Sequence, residues 1–358
     1  MKSLRNVISW ALGVIVVAGV IFVGGFFLFS LLTEFQPAPV EPVEVSGACD
    51  ISMDSITEFS LITWNIGYGG LGREMDFFYD GGKRVRPGKS YFQQSCEGIY
   101  SFLQDVDSVD FFLLQEVDRN SKRSYYLDEV AWLATRLPGF CISFATNYDC
   151  RFVPVPVTQP MGRVVSGLVT CSRYQPVAVN RHGFDTRLPW PVRLFYLKRC
   201  FMVSRFNLPD GHQLVLINIH NSAYDNAGLL RKREMEMIRQ FMLSEYEAGN
   251  YLVAGGDWNA NPPGFEPEEI GTGDQVKRDE FTDLQTFFPE WEFAFDPLYP
   301  TNRNVNSAYQ PGITPVTIID FYLVSPNIRV LDVYTYPTGF EESDHQPVRL
   351  QIALRPSA

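Results

Sequence analysis

Short apolar runs bordered by amide, carboxylate or imidazole side chains constrain this chain more than any other feature. Six such clusters occur between residues 63 and 347: Thr63-Trp64-Asn65, Gln115-Glu116, Asn218-Ile219-His220, Gly256-Asp257-Trp258-Asn259, Ile319-Asp320 and Ser343-Asp344-His345. Asn, Glu, Asp and His are poor core residues, so their recurrence at the ends of buried runs is hard to attribute to packing. Only four histidines exist, His182, His212, His220 and His345, and two of them fall in these clusters.

The runs themselves read as strands. They are 59–66, 110–116, 166–174, 199–208, 213–220, 251–257, 317–325 and 347–354. Several are apolar at consecutive positions, the pattern of a sheet covered on both faces. Helical spacing marks 95–106, 125–137 and 226–250. The stretches 153–160 and 261–280 read as loops. Two stacked sheets with helices outside fit this α/β pattern, and so does one large sheet.

Ahead of this body, residues 8–32 contain no charge. About 20 apolar residues suffice to cross a bilayer. The run is longer than a typical signal-peptide core and is read as a retained anchor rather than a cleaved signal. Lys2 and Arg5 precede it, which places the N-terminus in the cytoplasm and the rest outside. Residues 1–33 therefore form a cytoplasmic tip and a single transmembrane helix. Residues 34–55, with Pro37, Pro39 and Pro42, read as a linker, and 56–358 as the catalytic domain.

After residue 33 the chain holds 28 basic and 41 acidic residues, a net of −13. That balance argues against tight nonspecific binding of a nucleic acid, which is gripped largely by Lys and Arg. Of the six cysteines, Cys141 and Cys150 are the nearest pair; disulfides and buried thiols are both compatible with the composition.

The clusters suit metal-assisted attack on a phosphate. Mg²⁺ takes oxygen ligands, few of them from protein. Glu116 and Asp344 are the expected metal ligands, with Asn65 placing the metal or the phosphate. Asp257 and Asn259, two apart, would position the attacking water and donate to a phosphate oxygen. His220 and His345 would stabilise charge on the phosphate, with Asp320 orienting His345.

The motifs WN, QE, GDWN and SDH, in that order, resemble those of the endonuclease/exonuclease/phosphatase (DNase I-like) superfamily. The resemblance covers about 56–355. It implies a four-layer α/β sandwich with two central mixed sheets flanked by helices, and a divalent-cation site, usually Mg²⁺, with Mn²⁺ or Ca²⁺ as alternatives. It also implies hydrolysis of a phosphoester by water with no covalent intermediate. By that resemblance Asn65, Glu116 and Asp344 lie at the metal, and His220, Asp257, Asn259, Asp320 and His345 are catalytic. His220, in NIHNSAYD, is similar to the histidine of DNase I-like and sphingomyelinase-like members rather than to the tyrosine of repair nucleases.

The expected activity is a membrane-anchored, metal-dependent phosphoesterase acting on a lipid head group or a small phosphoester. The alternatives are an extracytoplasmic nuclease, with nucleic acid as substrate, and a noncatalytic binding module. No protein partner is expected. Residues 67–90 carry Arg73, Lys83, Arg84, Arg86 and Lys89. Arg84 and Arg86 are expected to grip a second phosphate or an anionic head group beside the metal.

Overall fold

A computed structural model describes the chain except residues 1, 50, 55, 186–187, 224–228, 267–269, 271–283 and 356–358. Helix α1 (Lys2–Leu32) comes first. Among the described residues the body then forms two seven-stranded sheets and a two-stranded ribbon.

The first sheet has the spatial order β1 (Val40–Pro42), β7 (Ala178–Gly183), β8 (Cys200–Asn207), β9 (Gln213–His220), β10 (Tyr251–Asp257), β14 (Asp320–Val324) and β11 (Glu292–Ala294). The second runs β15 (Ile328–Thr335), β16 (Val348–Leu354), β3 (Glu58–Asn65), β4 (Phe111–Asp118), β6 (Gly162–Ser172), β5 (Cys141–Val153) and β2 (Val45–Ser46). The ribbon is β12 (Asn302–Arg303) with β13 (Val316–Thr317). Each large sheet is mixed, with one central parallel pair, β9 with β10 and β3 with β4.

Alternation of side chains along each strand builds three stacked cores. Phe59 and Leu61 of β3, Phe111 and Leu113 of β4, Leu214 and Leu216 of β9, and Tyr251 and Val253 of β10 meet between the sheets. The intervening residues of β9 and β10, including Val215, Ile217, Leu252 and Ala254, face outward. They pack with Met235, Ile238 and Met242 of α4 (Leu229–Glu247) and Leu284 of α5 (Leu284–Phe287). On the far side, Ile62, Trp64, Phe112 and Leu114 pack with Ile99 and Leu103 of α2 (Lys89–Asp105) and with Leu133 of α3 (Glu129–Arg136). The result is helix, sheet, sheet, helix, the expected two-sheet sandwich.

Three longer strands escape the apolar pattern, β5, β7 and β15, as do the two- and three-residue strands β1, β2, β11, β12 and β13. Strand β15 lies at a sheet edge and alternates buried with exposed residues, so it lacks the continuous apolar run of a central strand. The expected helix at 125–137 begins only at Glu129, because Tyr125 and Tyr126 have φ of 53° and 62°. Asp128 instead caps it, accepting the Ala131 N–H at 3.0 Å. The expected helix at 226–250 is observed from Leu229; residues 226–228, and most of the expected loop at 261–280, lie outside the described residues.

The segment expected to be a linker is partly built into the body. Val40–Pro42 adds an edge strand to the first sheet, Val45–Ser46 adds one to the second, and a disulfide joins Cys49 to Cys141. Prolines disfavour helix but are accommodated on sheet edges, which is where Pro42 sits. Cys150 is not the partner of Cys141; with Cys96, Cys171 and Cys200 it remains a buried thiol. Replacing Cys49 and Cys141 by serine is expected to lower unfolding stability by about 2–4 kcal/mol, because the crosslink closes a long loop. Urea unfolding of the detergent-solubilised chain measures this; an unchanged midpoint would show that the crosslink does not hold the N-terminal strands.

Candidate active site

The inter-sheet register that carries Leu, Phe and Val along each strand turns polar at one end of the sandwich. On β3 the inward series Phe59, Leu61 continues to Asn65. On β4 Phe111, Leu113 continues to Gln115. On β9 Leu214, Leu216 continues to Asn218 and His220, and on β10 Tyr251, Val253 continues to Asp257. Asp320 opens β14 in the inward series of Tyr322 and Val324. Asp257 is the register partner of both His220 and Asp320.

Beneath this polar end the sheets are bridged directly. Gln115 Nε2 donates to Asn218 Oδ1 at 2.8 Å, and Asn218 Nδ2 donates to the Val169 carbonyl at 2.8 Å. One level higher, Asn65 Nδ2 donates to Asp257 Oδ2 at 3.1 Å and to Glu116 Oε1 at 3.4 Å. Its Oδ1 accepts the Gly67 N–H at 3.0 Å. Asn65 therefore orients the two carboxylates while its own oxygen is engaged.

Glu116 departs from simple alternation. A neighbour of inward-facing Gln115 should point to the outer core. The pairing of β4 with β6 shifts between Leu114 and Val117, and Glu116 adopts φ 54°. This bulge turns the carboxylate into the cleft. An αL backbone at a non-glycine residue costs on the order of 1 kcal/mol or more and is retained where the surroundings enforce it.

Glycine is required at Gly256. Its φ is 151°, and a Cβ there would lie 2.0 Å from the Ile219 carbonyl oxygen. Trp258 then anchors the turn, donating through Nε1 to the Phe321 carbonyl at 2.9 Å. Asp257 and Asn259 do not lie on an extended segment as expected. Asp257 Oδ1 accepts the Asn259 N–H at 2.9 Å, a tight Asx turn, and Asn259 has φ 49°. Both residues still line the cleft.

The Ser343-Asp344-His345 loop is tied to β3 by two bonds. Ser343 Oγ donates to the Asn65 carbonyl at 2.7 Å, and Trp64 Nε1 donates to the His345 carbonyl at 2.9 Å. His345 Nδ1–H donates to Asp320 Oδ2 at 2.8 Å, the expected orienting contact. His345 Nε2 lies 3.7 Å from Asp257 Oδ2, and His220 Nε2 lies 3.5 Å from the same oxygen.

The two imidazoles have opposite electrostatics. Burial disfavours a charged His345 ring, but Asp320, Asp257 and Asp344 outweigh it and hold its pKa up at about 10. Burial, followed by the charges of Arg199, His345 and Arg123, pushes His220 well below its ordinary value. His220 is thus held neutral in this site, unlike a charged group stabilising the phosphate; its Nδ1 is buried without a protein partner. Asp257 is raised to about 6, chiefly by burial. Asp344 is raised to about 7 by burial, then by Glu116 and Asp80, against the pull of His345 and Arg303.

These shifts bear on where a cation fits. Glu116 and Asp344 line one cleft, repel each other and offer only oxygen donors, which suits a hard divalent cation. Donor atoms of Asp257, Asp320 and His345 also lie within 4.8 Å of one another. That group is a poor ligand set, because Asp320 already accepts the Nδ1–H of a ring held in its protonated form.

The cleft, ≈ 300 Å³, brings together Glu116, His220, Asp257, Asn259, Asp344 and His345. Arg84 and Arg86 do not reach it. Arg84 Nε is paired with Asp76 at 2.8 Å, and Arg86 donates to the Lys122 carbonyl while lying over the Tyr125 ring. Buried arginines elsewhere supply positive charge instead. Arg123 grips Asp118 with two bonds of 2.9 and 3.0 Å, stacks 3.7 Å from the Tyr68 ring centroid and comes within 4.0 Å of Glu116. Arg199 donates to the His220 carbonyl at 3.2 Å. The Asn302 amide lies 2.9 Å from His345 Nε2. No local pattern marks these three residues in the sequence, since each reaches the site from a distant segment.

With this geometry in hand, comparison identifies the class. Residues 62–345 match the model of the endonuclease/exonuclease/phosphatase family, and the chain belongs to that family. Its members hydrolyse phosphoesters and are typically dependent on divalent metals. The fold is similar to an endonuclease/exonuclease/phosphatase from Beutenbergia cavernae DSM 12333, with 18% identity, TM-score 0.53, and coverage of 85% of this chain and 74% of that one. It is also similar to the family protein of Bacteroides vulgatus, with 15% identity, TM-score 0.52, and coverage of 84% and 100%. A third likeness is the human Nocturnin catalytic domain with bound sulfate anion, with 15% identity, TM-score 0.50, and coverage of 87% and 97%. No curated protein sequence matches the chain.

Replacing Asp320 by asparagine is expected to drop the His345 pKa from about 10 toward the ordinary histidine range and to lower kcat by about 10²-fold. Histidine titration by NMR follows the first effect. A ring that still titrates near 10 would show that Asp320 does not hold its charge.

Proposed function

We propose that this chain is a membrane-anchored, divalent-metal-dependent phosphoesterase that hydrolyses a phosphodiester or phosphomonoester by direct attack of water. The observation that carries this reading is the meeting of a raised carboxylate, Asp257, with a protonated imidazole, His345, beside the carboxylates Glu116 and Asp344 in one cleft.

In this mechanism Asp257 accepts a proton from the attacking water, a task suited to a carboxylate raised toward neutrality. His345, held charged by Asp320, donates to a nonbridging phosphate oxygen as negative charge builds there. Neutral His220 and the Asn259 side chain complete the polar wall, and Asn65 holds Asp257 and Glu116 in register. Glu116 and Asp344 would hold the cation, Mg²⁺ by the hardness of the donor set, with Mn²⁺ or Ca²⁺ as substitutes. When bound, it supplies Lewis-acid charge to the phosphate.

The net charge of −13 after residue 33 favours a lipid head group or a small phosphoester over a polynucleotide. Among the described residues, α1 contains a stretch, Leu4–Leu32, long and apolar enough to cross a membrane. Together with Lys2 and Arg5 at its N-terminal end, this supports a single span with the catalytic domain outside. The Cys49–Cys141 disulfide supports the same side, because such crosslinks persist in oxidising compartments.

The test is turnover by the detergent-solubilised chain with Mg²⁺, Mn²⁺ or Ca²⁺ on bis-p-nitrophenyl phosphate, sphingomyelin, phosphoinositides, plasmid DNA and RNA. Phosphoester release should require the cation, fall about 10²–10³-fold or more in Glu116→Ala, and decline below pH 6 as Asp257 protonates. Nicking of plasmid without head-group release would instead make the substrate a nucleic acid. Cation binding with no turnover of any substrate would contradict the enzymatic reading.

A further inference from the structure

The C-terminal turns of α1 do not hang free of the body. Phe26 stacks on Phe195 with centroids 5.6 Å apart and planes 6° apart, and its edge meets Phe152 at 6.1 Å. Phe27 lies 5.4 Å from Trp190. Just beyond the helix, Glu34 accepts from Lys198 Nζ at 2.9 Å and lies 3.6 Å from Arg193. The described helix residues before Phe26 are exposed, as a lipid-facing span would be.

The two segments that meet α1 here, 152–157 and 190–195, carry exposed apolar side chains. Trp190 is 62% exposed and Val157 87%, and Phe152, Val155 and Val192 on the same segments are exposed as well. Large apolar side chains clustered on one surface mark an interaction site rather than ordinary exposure. Helix geometry indicates what covers them. Arg5 is the last charge before the apolar run, and Phe26 lies 21 residues further on. At about 1.5 Å per residue that is about 31 Å, the thickness of a bilayer's hydrocarbon core. The helix therefore leaves the hydrocarbon at the level of Phe152, Trp190 and Phe195. Tryptophan favours this boundary, and Arg151, exposed next to Phe152, suits lipid phosphates.

We propose that Phe152, Val155, Val157, Trp190 and Val192 form a membrane-docking face that rests in the headgroup region where α1 emerges. The same two segments that carry this face also wall the cleft. Strand β5 supplies Asn147 and Tyr148 before it reaches Phe152, and the Trp190 segment continues to Tyr196, Leu197 and Arg199. Docking thus sets the cleft mouth against the bilayer, where phospholipid head groups are the most concentrated phosphoesters. This inference rests on the anchor reading and adds to it, since a span alone would let the domain face any direction.

The experiment uses the full chain in nanodiscs of phosphatidylcholine and phosphatidylglycerol. A solvatochromic fluorophore is placed at Val157→Cys, or for comparison at Asp332→Cys on exposed β15. The Val157→Cys label should shift to the blue and be quenched by lipids brominated near the headgroup, and the Asp332→Cys label should do neither. Equal, water-like emission at both positions in a chain that resists carbonate extraction from membranes would overturn the docking face and leave the anchor standing. Release of the chain by carbonate would overturn the anchor, and the docking face with it.

Discussion

The hydrogen bond between Gln115 and Asn218 is the contact on which the site depends. It joins the two sheets at the depth where their shared core ends, with Asn218 held in turn by the carbonyls of Leu114 and Val169. Below it the facing residues are Leu, Val, Phe and Tyr; above it they are Asn, Asp and His. A polar bridge in a buried interior is stiff, because breaking it would leave the Gln115 and Asn218 amide N–H groups unsatisfied. It fixes the spacing of the sheets, and so allows Asn65 of one sheet to bond Asp257 of the other.

That framework lets like charges be held together. Asp257, Asp320 and Asp344 are all buried, beside half-exposed Glu116. Charges out of water are costly unless paired. The site meets part of that cost by keeping His345 protonated between Asp320 and Asp257, and by placing Arg123 and Arg199 behind the wall. The part left over shows in the raised values of Asp257 and Asp344. Those two carboxylates are poised for the tasks a phosphoesterase would give them, taking a proton and holding a cation.

Much of this arrangement was legible in the sequence, for a definite reason. Residues that continue a strand's alternation need no tertiary information to be placed, so Asn65, His220, Asp257 and Asp320 could be read from their runs. Ser343-Asp344-His345 was legible through its likeness to a family motif. Glu116 was expected at the site and lines the cleft, yet its orientation depends on a bulge that alternation does not encode. The basic loop misled, because Arg84 finds Asp76 within the loop itself and Arg86 is spent on a carbonyl and a ring. Its count of cations said nothing about where they point. Arg123, Arg199 and Asn302 were not legible, since each reaches the cleft only through the fold. Likewise the prolines of 34–55 suggested an extended chain correctly, but not that β1 and β2 pair with the sheet edges.

In the proposed mechanism two carboxylates far apart in sequence, Glu116 and Asp344, converge on one cation above the inter-sheet bridge. Anomalous scattering from crystals of the chain soaked in Mn²⁺ tests it most directly. The account predicts a single strong peak within coordination distance of both carboxylates, lost in Glu116→Ala. A peak between Asp257 and Asp320 with none at Glu116, or no peak anywhere in the cleft, would contradict it.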